Sequence, residues 1–285
     1  MLLAVVGLTL SQAALAIEEQ LAKLNRLCRE LIDAGNYPEA SSVCGRVSFD
    51  IKKLASGSPQ HIVSLVGLAD LKRRQENNVS ADALYAEALG YIDQRDPDSF
   101  EAATFLDLQA ESKIGRGKLL EAEPLLRRAL AIREKQHGAD APDVAETRVR
   151  YANVLSMTAQ YQKAHIAYRS ALVVFQNGGM ATRNAYLDTR RRLAEVMERE
   201  SRFEQAQTEY LQLLADAQGA PPARGSVALA LDRLGWIASQ DGRGTDATDF
   251  YRRELAELKA ASANRETIAA LEARLAALTA STAAP

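Results

Sequence analysis

An alanine recurs along this chain every 41 or 42 residues, and that period restricts the possible folds more tightly than anything else in the sequence. Ala40, Ala81, Ala122, Ala164, Ala206 and Ala247 are separated by 41, 41, 42, 42 and 41 residues. Other positions keep their character in the same register. Twelve residues before each marker stand Cys28, Ala69, Ala110, Ala152, Ala194 and Gly235, all small. Four after stand Cys44, Tyr85, Leu126, Tyr168, Tyr210 and Tyr251, mostly large. Five before stand Gly35, Glu76, Gly117, Ala159, Ser201 and Gly242, where a short residue suits a turn. Seven after stand Val47, Ala88, Ala129, Ala171, Leu213 and Glu254, a site that drifts only at the C-terminal end. A fixed period of this length is the mark of stacked supersecondary units.

Small residues on both sides of a turn let two helices approach closely, because a larger side chain would hold their axes apart. Each unit is therefore expected to be a helical hairpin. The large residue after the marker is expected to point away from its own partner helix and fill the gap to the next hairpin. One hairpin cannot hide its apolar face, so the core forms by stacking. Composition agrees: 47% hydrophobic and 25% charged residues suit a sizeable core. No strand pattern is visible. Helix stops fall at Gly57-Ser58-Pro59, Asp96-Pro97, Gly138 to Pro142, Gly178-Gly179 and Gly219 to Pro222.

The run Gly117-Lys118-Leu119-Leu120-Glu121-Ala122-Glu123-Pro124-Leu125-Leu126-Arg127-Arg128-Ala129-Leu130, followed by Gly138-Ala139-Asp140-Ala141-Pro142-Asp143-Val144-Ala145, closely resembles the long tetratricopeptide repeats of kinesin light chains and of many bacterial proteins. Leu119 takes the place of the family's aromatic residue and Ala141 that of its histidine; Asn78 and Gly244 depart from the aromatic in two other units. The resemblance implies an all-α chain: a right-handed α-solenoid of about six hairpins, over residues 21–60, 62–98, 103–142, 145–180, 187–222 and 228–261. Ile268, Leu271, Leu275 and Leu278 follow helical spacing after Asn264, a suitable N-cap, so 264–279 is expected to be a capping helix. Residues 280–285 are expected to be a disordered tail, and 17–279 a single solenoid.

Residues 1–16 have two readings. An apolar run from Leu2 to Leu10, then Ala14-Leu15-Ala16, gives a secretory signal peptide, which is preferred. The alternative is an amphipathic start to the first helix, since no Lys or Arg follows Met1. On the preferred reading the chain is exported, to the periplasm or outside the cell, and keeps no stable membrane span; on the other it is cytoplasmic. Nearly balanced charge, with 35 Lys and Arg against 37 Asp and Glu, provides no broad positive field for nucleic acid. No nucleic-acid partner is expected.

The resemblance further implies that the first helix of each hairpin lines a concave groove. Residues one place after the small site then face it: Arg29, Asp70, Glu111, Asn153, Glu195 and Trp236, with Arg150, Arg192 and Arg233 a turn away. Asn153 matches an asparagine with which the family holds a peptide backbone. Trp236, the only tryptophan, is either an exposed anchor for a partner or packing for the cap. Arg190-Arg191-Arg192, with Asp188 and Glu195 at helical spacing, fits ion pairs along a helix better than a phosphate site. His61, His137 and His165 are not expected to converge, and no nucleophile, phosphate-loop or C-x-x-C motif is present. Asp107 and Glu111, four apart, are either paired carboxylates or a solvated face, and the latter is preferred. No catalytic residue, metal site or cofactor is expected. Cys28 and Cys44 fall on partner helices at similar heights, either bridged, if the chain is exported, or two buried thiols. The expected function is a scaffold for a peptide or protein partner, the alternative a hydrolase or lyase on a cell-envelope substrate.

Overall fold

The computed structural model describes residues 10–55, 57–217 and 224–282, and among these every regular element is helical. The chain divides into two compact units, residues 1–136 and 137–285. In the first, α1 (Leu10–Asp33) pairs with α2 (Tyr37–Ala55), α3 (Pro59–Arg74) with α4 (Asn78–Arg95), and α5 (Phe100–Gly115) with α6 (Leu119–His137). In the second, α7 (Pro142–Met157) pairs with α8 (Tyr161–Asn177), α9 (Arg183–Arg199) with α10 (Phe203–Ala217), and α11 (Arg224–Gln240) with α12 (Gly244–Ala260); α13 (Arg265–Thr282) comes last.

One backbone device closes every hairpin. Gly35, Glu76, Gly117, Ala159, Ser201 and Gly242 all take left-handed φ, at 72°, 61°, 71°, 58°, 59° and 73°. Each ends the first helix of its hairpin in a tight C-terminal cap, in which the next amide reaches back five residues. Asn36 N donates to Leu31 O at 2.9 Å, Asn77 N to Lys72 O at 2.8 Å, Gln160 N to Leu155 O at 2.8 Å and Arg202 N to Met197 O at 2.8 Å. Glycine adopts this conformation freely and other residues do so at a cost, which is why three of the six positions are glycine.

The six marker alanines are fully buried, as are Ala69, Ala110, Ala152 and Ala194 at the small site. The structure corrects the expected direction of the large residue. It lies across the small site of its own hairpin: a Cβ placed on Gly235 would meet the Tyr251 ring at 2.7 Å, and Cys28 and Cys44 are bonded to each other. The small residue is small because a ring or a sulfur needs the room. Leu108 of the following hairpin packs against the cluster of Ala69, Ala81 and Tyr85, so this site also borders the next hairpin.

Side-chain oxygens cap several of the helix starts, among them the expected Asn264. Ser58 Oγ accepts from His61 N at 3.2 Å, Ser99 Oγ from Ala102 N at 3.2 Å and Asn264 Oδ1 from Thr267 N at 2.7 Å. Helix α13 runs to Thr282, three residues beyond the expected end at 279 and into the expected tail, because Ala280-Ser281-Thr282 contains no stop signal. Residues 283–285, 218–223 and 1–9 lie outside the described residues, with the Gly219 to Pro222 border and most of the 1–16 segment; α1 continues across position 16.

Candidate functional site

In the unit 137–285 the first helices α7, α9 and α11 carry a connected polar belt. Asn153 Oδ1, on α7, accepts from Arg192 Nη1 of α9 at 3.2 Å and from the buried Tyr168 OH of its own hairpin at 2.6 Å. Arg192 Nε bonds Asp188 at 2.8 Å; Arg191 bonds the same carboxylate at 2.6 Å and also holds Glu195. Burial opposes ionisation of Asp188, but hydrogen bonds from Arg192 and Arg191 outweigh it and keep its pKa below the ordinary carboxylate value. Arg199, two turns beyond Arg192, donates to Ser156 Oγ of α7 at 3.2 Å. Glu198 of α9 receives Arg233 of α11 at 3.0 Å. Burial pushes the Glu198 pKa up in spite of that partner.

Trp236 lies at the end of this belt, half-buried. Its ring centroid is 5.7 Å from that of Phe203, and the Arg233 guanidinium sits 5.0 Å above it. The structure thus places the tryptophan against the preceding hairpin, whereas the sequence suggests either an exposed anchor or the C-terminal cap. Phe203 keeps 38% of its surface in water, so the aromatic pair has an open edge. Arg150 stands one turn before Asn153 on α7, 3.9 Å from Glu146.

The unit 1–136 repeats the arrangement on α1, α3 and α5. Arg74 joins Asp33 of α1 at 3.2 Å and Asp70 at 2.9 Å, while Arg73 joins Asp70 at 2.6 Å and lies 3.8 Å from Glu111 of α5. Arg29 is exposed on α1. Pairs this exposed contribute about 0–1 kcal/mol each, so the belt orients side chains more than it holds helices together.

Other sequence candidates separate. Asp107 and Glu111 do not act as a pair: Asp107 is buried against Arg133 of α6 at 2.5 Å, whereas Glu111 faces Arg73. The Arg190-Arg191-Arg192 run splits in the same way. Arg190 turns to Glu209 of α10 at 2.5 Å, leaving Arg191 and Arg192 on the belt. His61 is buried at the start of α3, His137 pairs with Asp143 at 2.6 Å, and His165 meets Arg169 at 3.2 Å, so none shares a site with another. No group of three or more metal-ligating side chains occurs among the described residues. Sequence reasoning missed Tyr168, Ser156, Glu198 and Phe203 as parts of the belt. Phe203 is visible in the sequence as the residue three places before a marker alanine and Tyr168 as the large residue four places after one, though not as a partner of Asn153; Ser156 and Glu198 carry no signal beyond helical position.

Known proteins share this architecture. The tetratricopeptide repeat family model matches residues 101–177. No curated protein matches the chain. Among solved structures, BtubC (BKLC) from P. vanneervenii is similar at 18% identity and a TM-score of 0.66, over 80% of this chain and 93% of that one. The Pseudomonas aeruginosa pilF structure is similar at 16% identity and a TM-score of 0.60, over 90% of this chain and 98% of that one. RapI in its apo form gives 12% identity and a TM-score of 0.69, over 92% and 72%. At these identities the structural likeness concerns the fold.

Proposed function

We propose that this chain, a tetratricopeptide-repeat protein, is a binding scaffold holding a peptide or protein partner along the polar belt of α7, α9 and α11. One observation carries the reading. Asn153, Arg192 and Asp188, on two different hairpins, form a single hydrogen-bonded set, yet the Arg192 side chain stays 36% exposed. A guanidinium fixed in this way offers its remaining N–H groups without losing much rotamer freedom on binding. The half-open Trp236–Phe203 pair adds an apolar anchor of the kind that dominates binding energy.

The contribution of such a site is positioning, and no residue of it is assigned to bond making. The alternative of a hydrolase or lyase is less favoured, since Asp188, Glu195 and Glu198, the acids of the belt, are each bonded to an arginine. Export is part of the same proposal. It is supported by the apolar segment at 1–16 together with the Cys28–Cys44 bond, which suits an oxidising compartment.

The test is affinity capture from envelope and cytoplasmic extracts, comparing the wild-type chain with one carrying Arg192→Ala, Arg199→Ala and Trp236→Ala. Asn153 is left in place because Tyr168 depends on it. Partners held by the belt are lost from the variant while its helical circular dichroism is unchanged. The same partners at the same yield in both would remove the belt from consideration.

A further inference from the structure

We infer that α13 is a pH-gated strap, seated on the last hairpin while Glu254 is protonated and loosened when that carboxyl ionises. Seven places after the marker, Ala88, Ala171 and Leu213 are apolar and fully buried, in clusters shared with the next element of the stack. In the last hairpin that next element is α13, and the equivalent residue is Glu254. It is only 9% exposed, and its Oε2 is enclosed with no hydrogen-bond partner among the described residues. A carboxylate in that position is costly unless it is neutral or paired.

Its surroundings do not pair it. From α11 it faces Asp232, from α13 Arg274, and on its own helix Tyr251 stands one turn earlier. The cation, Arg274, is already committed: its Nη1 bonds Asp232 at 2.8 Å, and its guanidinium lies 5.1 Å above the Tyr251 ring. Burial first, and then the Asp232 charge, hold Glu254 in its neutral form and push its pKa from 4.5 to about 7, with Arg274 opposing.

The hold of α13 is modest. Leu271 is buried against Ala238, Ala247 and Tyr251, Leu275 and Leu278 are partly buried, and Lys259 meets Glu272 in an exposed pair at 2.8 Å. An ionised Glu254 therefore weighs heavily on it. When α13 lifts, the carboxyl meets water and its pKa falls back towards 4.5. The seated form thus binds more protons than the lifted form, and seating weakens as pH rises from 4.5 through about 7. The strap depends neither on the belt nor on the belt's partner.

The experiment is amide hydrogen exchange of the full chain at about pH 5.5 and about pH 8.5, corrected for the intrinsic exchange rate, following peptides from α13 and, as reference, from α9. In the wild type, α13 protection relative to α9 drops at least about tenfold at the higher pH. In Glu254→Gln it is the same at both. An equal drop in that variant, or none in the wild type, overturns the inference. If the Gln variant is loose at both pH values, Glu254→Leu, which restores the residue type of Leu213, decides: constant protection supports the strap and a pH-dependent loss refutes it.

Discussion

Arg133 Nη1 lies 2.5 Å from Asp107 Oδ2, with the two side chains only 7% and 8% exposed. The pair ties α5 to α6 inside the third hairpin, and Phe100 covers the guanidinium at 5.8 Å. Removing one partner strands a buried charge, so Arg133→Met should cost about 3–5 kcal/mol in urea unfolding. Asp107→Leu combined with Arg133→Met should recover most of that loss, since an apolar pair needs no compensation. A double variant as unstable as the single one would mean that the charges themselves hold the hairpin.

At the hairpin closures, substitution should act with the opposite sign. Glu76, Ala159 and Ser201 sit at φ of 61°, 58° and 59°, where a side chain costs roughly 1–2 kcal/mol. Glycine at each position should raise stability, by about 0.5–1 kcal/mol once its greater freedom in the unfolded chain is allowed for. Gly117→Ala, at φ 71°, should lower it. The urea midpoints of these four single variants check the sign.

This closure also shows why so much of the fold was legible in the sequence. A left-handed cap, a fully buried alanine and a site crossed by a ring each admit few residue types, and hairpin after hairpin repeats the demand. The belt is different. Arg190, Arg191 and Arg192 are identical in sequence and adjacent on one helix, yet Arg190 reaches Glu209 on α10 while Arg192 reaches Asn153 on α7. Which way each points depends on neighbours 19 and 39 residues away. The drift to Glu254 was equally visible in the register, but the missing partner for its carboxyl was not.

The Cys28–Cys44 bond spans 16 residues and joins α1 to α2, with both sulfur-bearing residues buried. A closed loop of that length is worth about 3 kcal/mol. Cys28→Ala with Cys44→Ala should therefore lower unfolding stability by about 2–4 kcal/mol, and hydrogen exchange should place the loss in the first hairpin. Unchanged protection of α1 and α2 would show that helix packing alone holds the hairpin.

His61 occupies an environment that favours the neutral ring. It is fully buried in the first turn of α3, and its Nδ1 accepts the Gly57 amide at 3.0 Å, which places the ring proton on Nε2. Nε2 is enclosed with no partner among the described residues, and Tyr91 packs edge-on at 5.2 Å. A second proton would displace the Gly57 amide and bury a cation at a helix N-terminus, where the helix dipole opposes it. Burial accordingly lowers the His61 pKa below 6.5; Glu87 raises it and Lys52 lowers it, and these two are bonded to each other at 2.8 Å. The unfolded chain therefore takes up the proton first, and the stability His61 confers is complete above 6.5 and lost as pH falls through its folded value. Protection of α2 and α3 should decline on going from about pH 7.5 to about pH 5.5, opposite to the trend at Glu254. His61→Phe keeps the ring against Tyr91 but orphans the Gly57 amide. It should be about 1–3 kcal/mol less stable at the higher pH and show a flatter decline. A slope equal to the wild type's would assign the acid sensitivity of this hairpin to other groups.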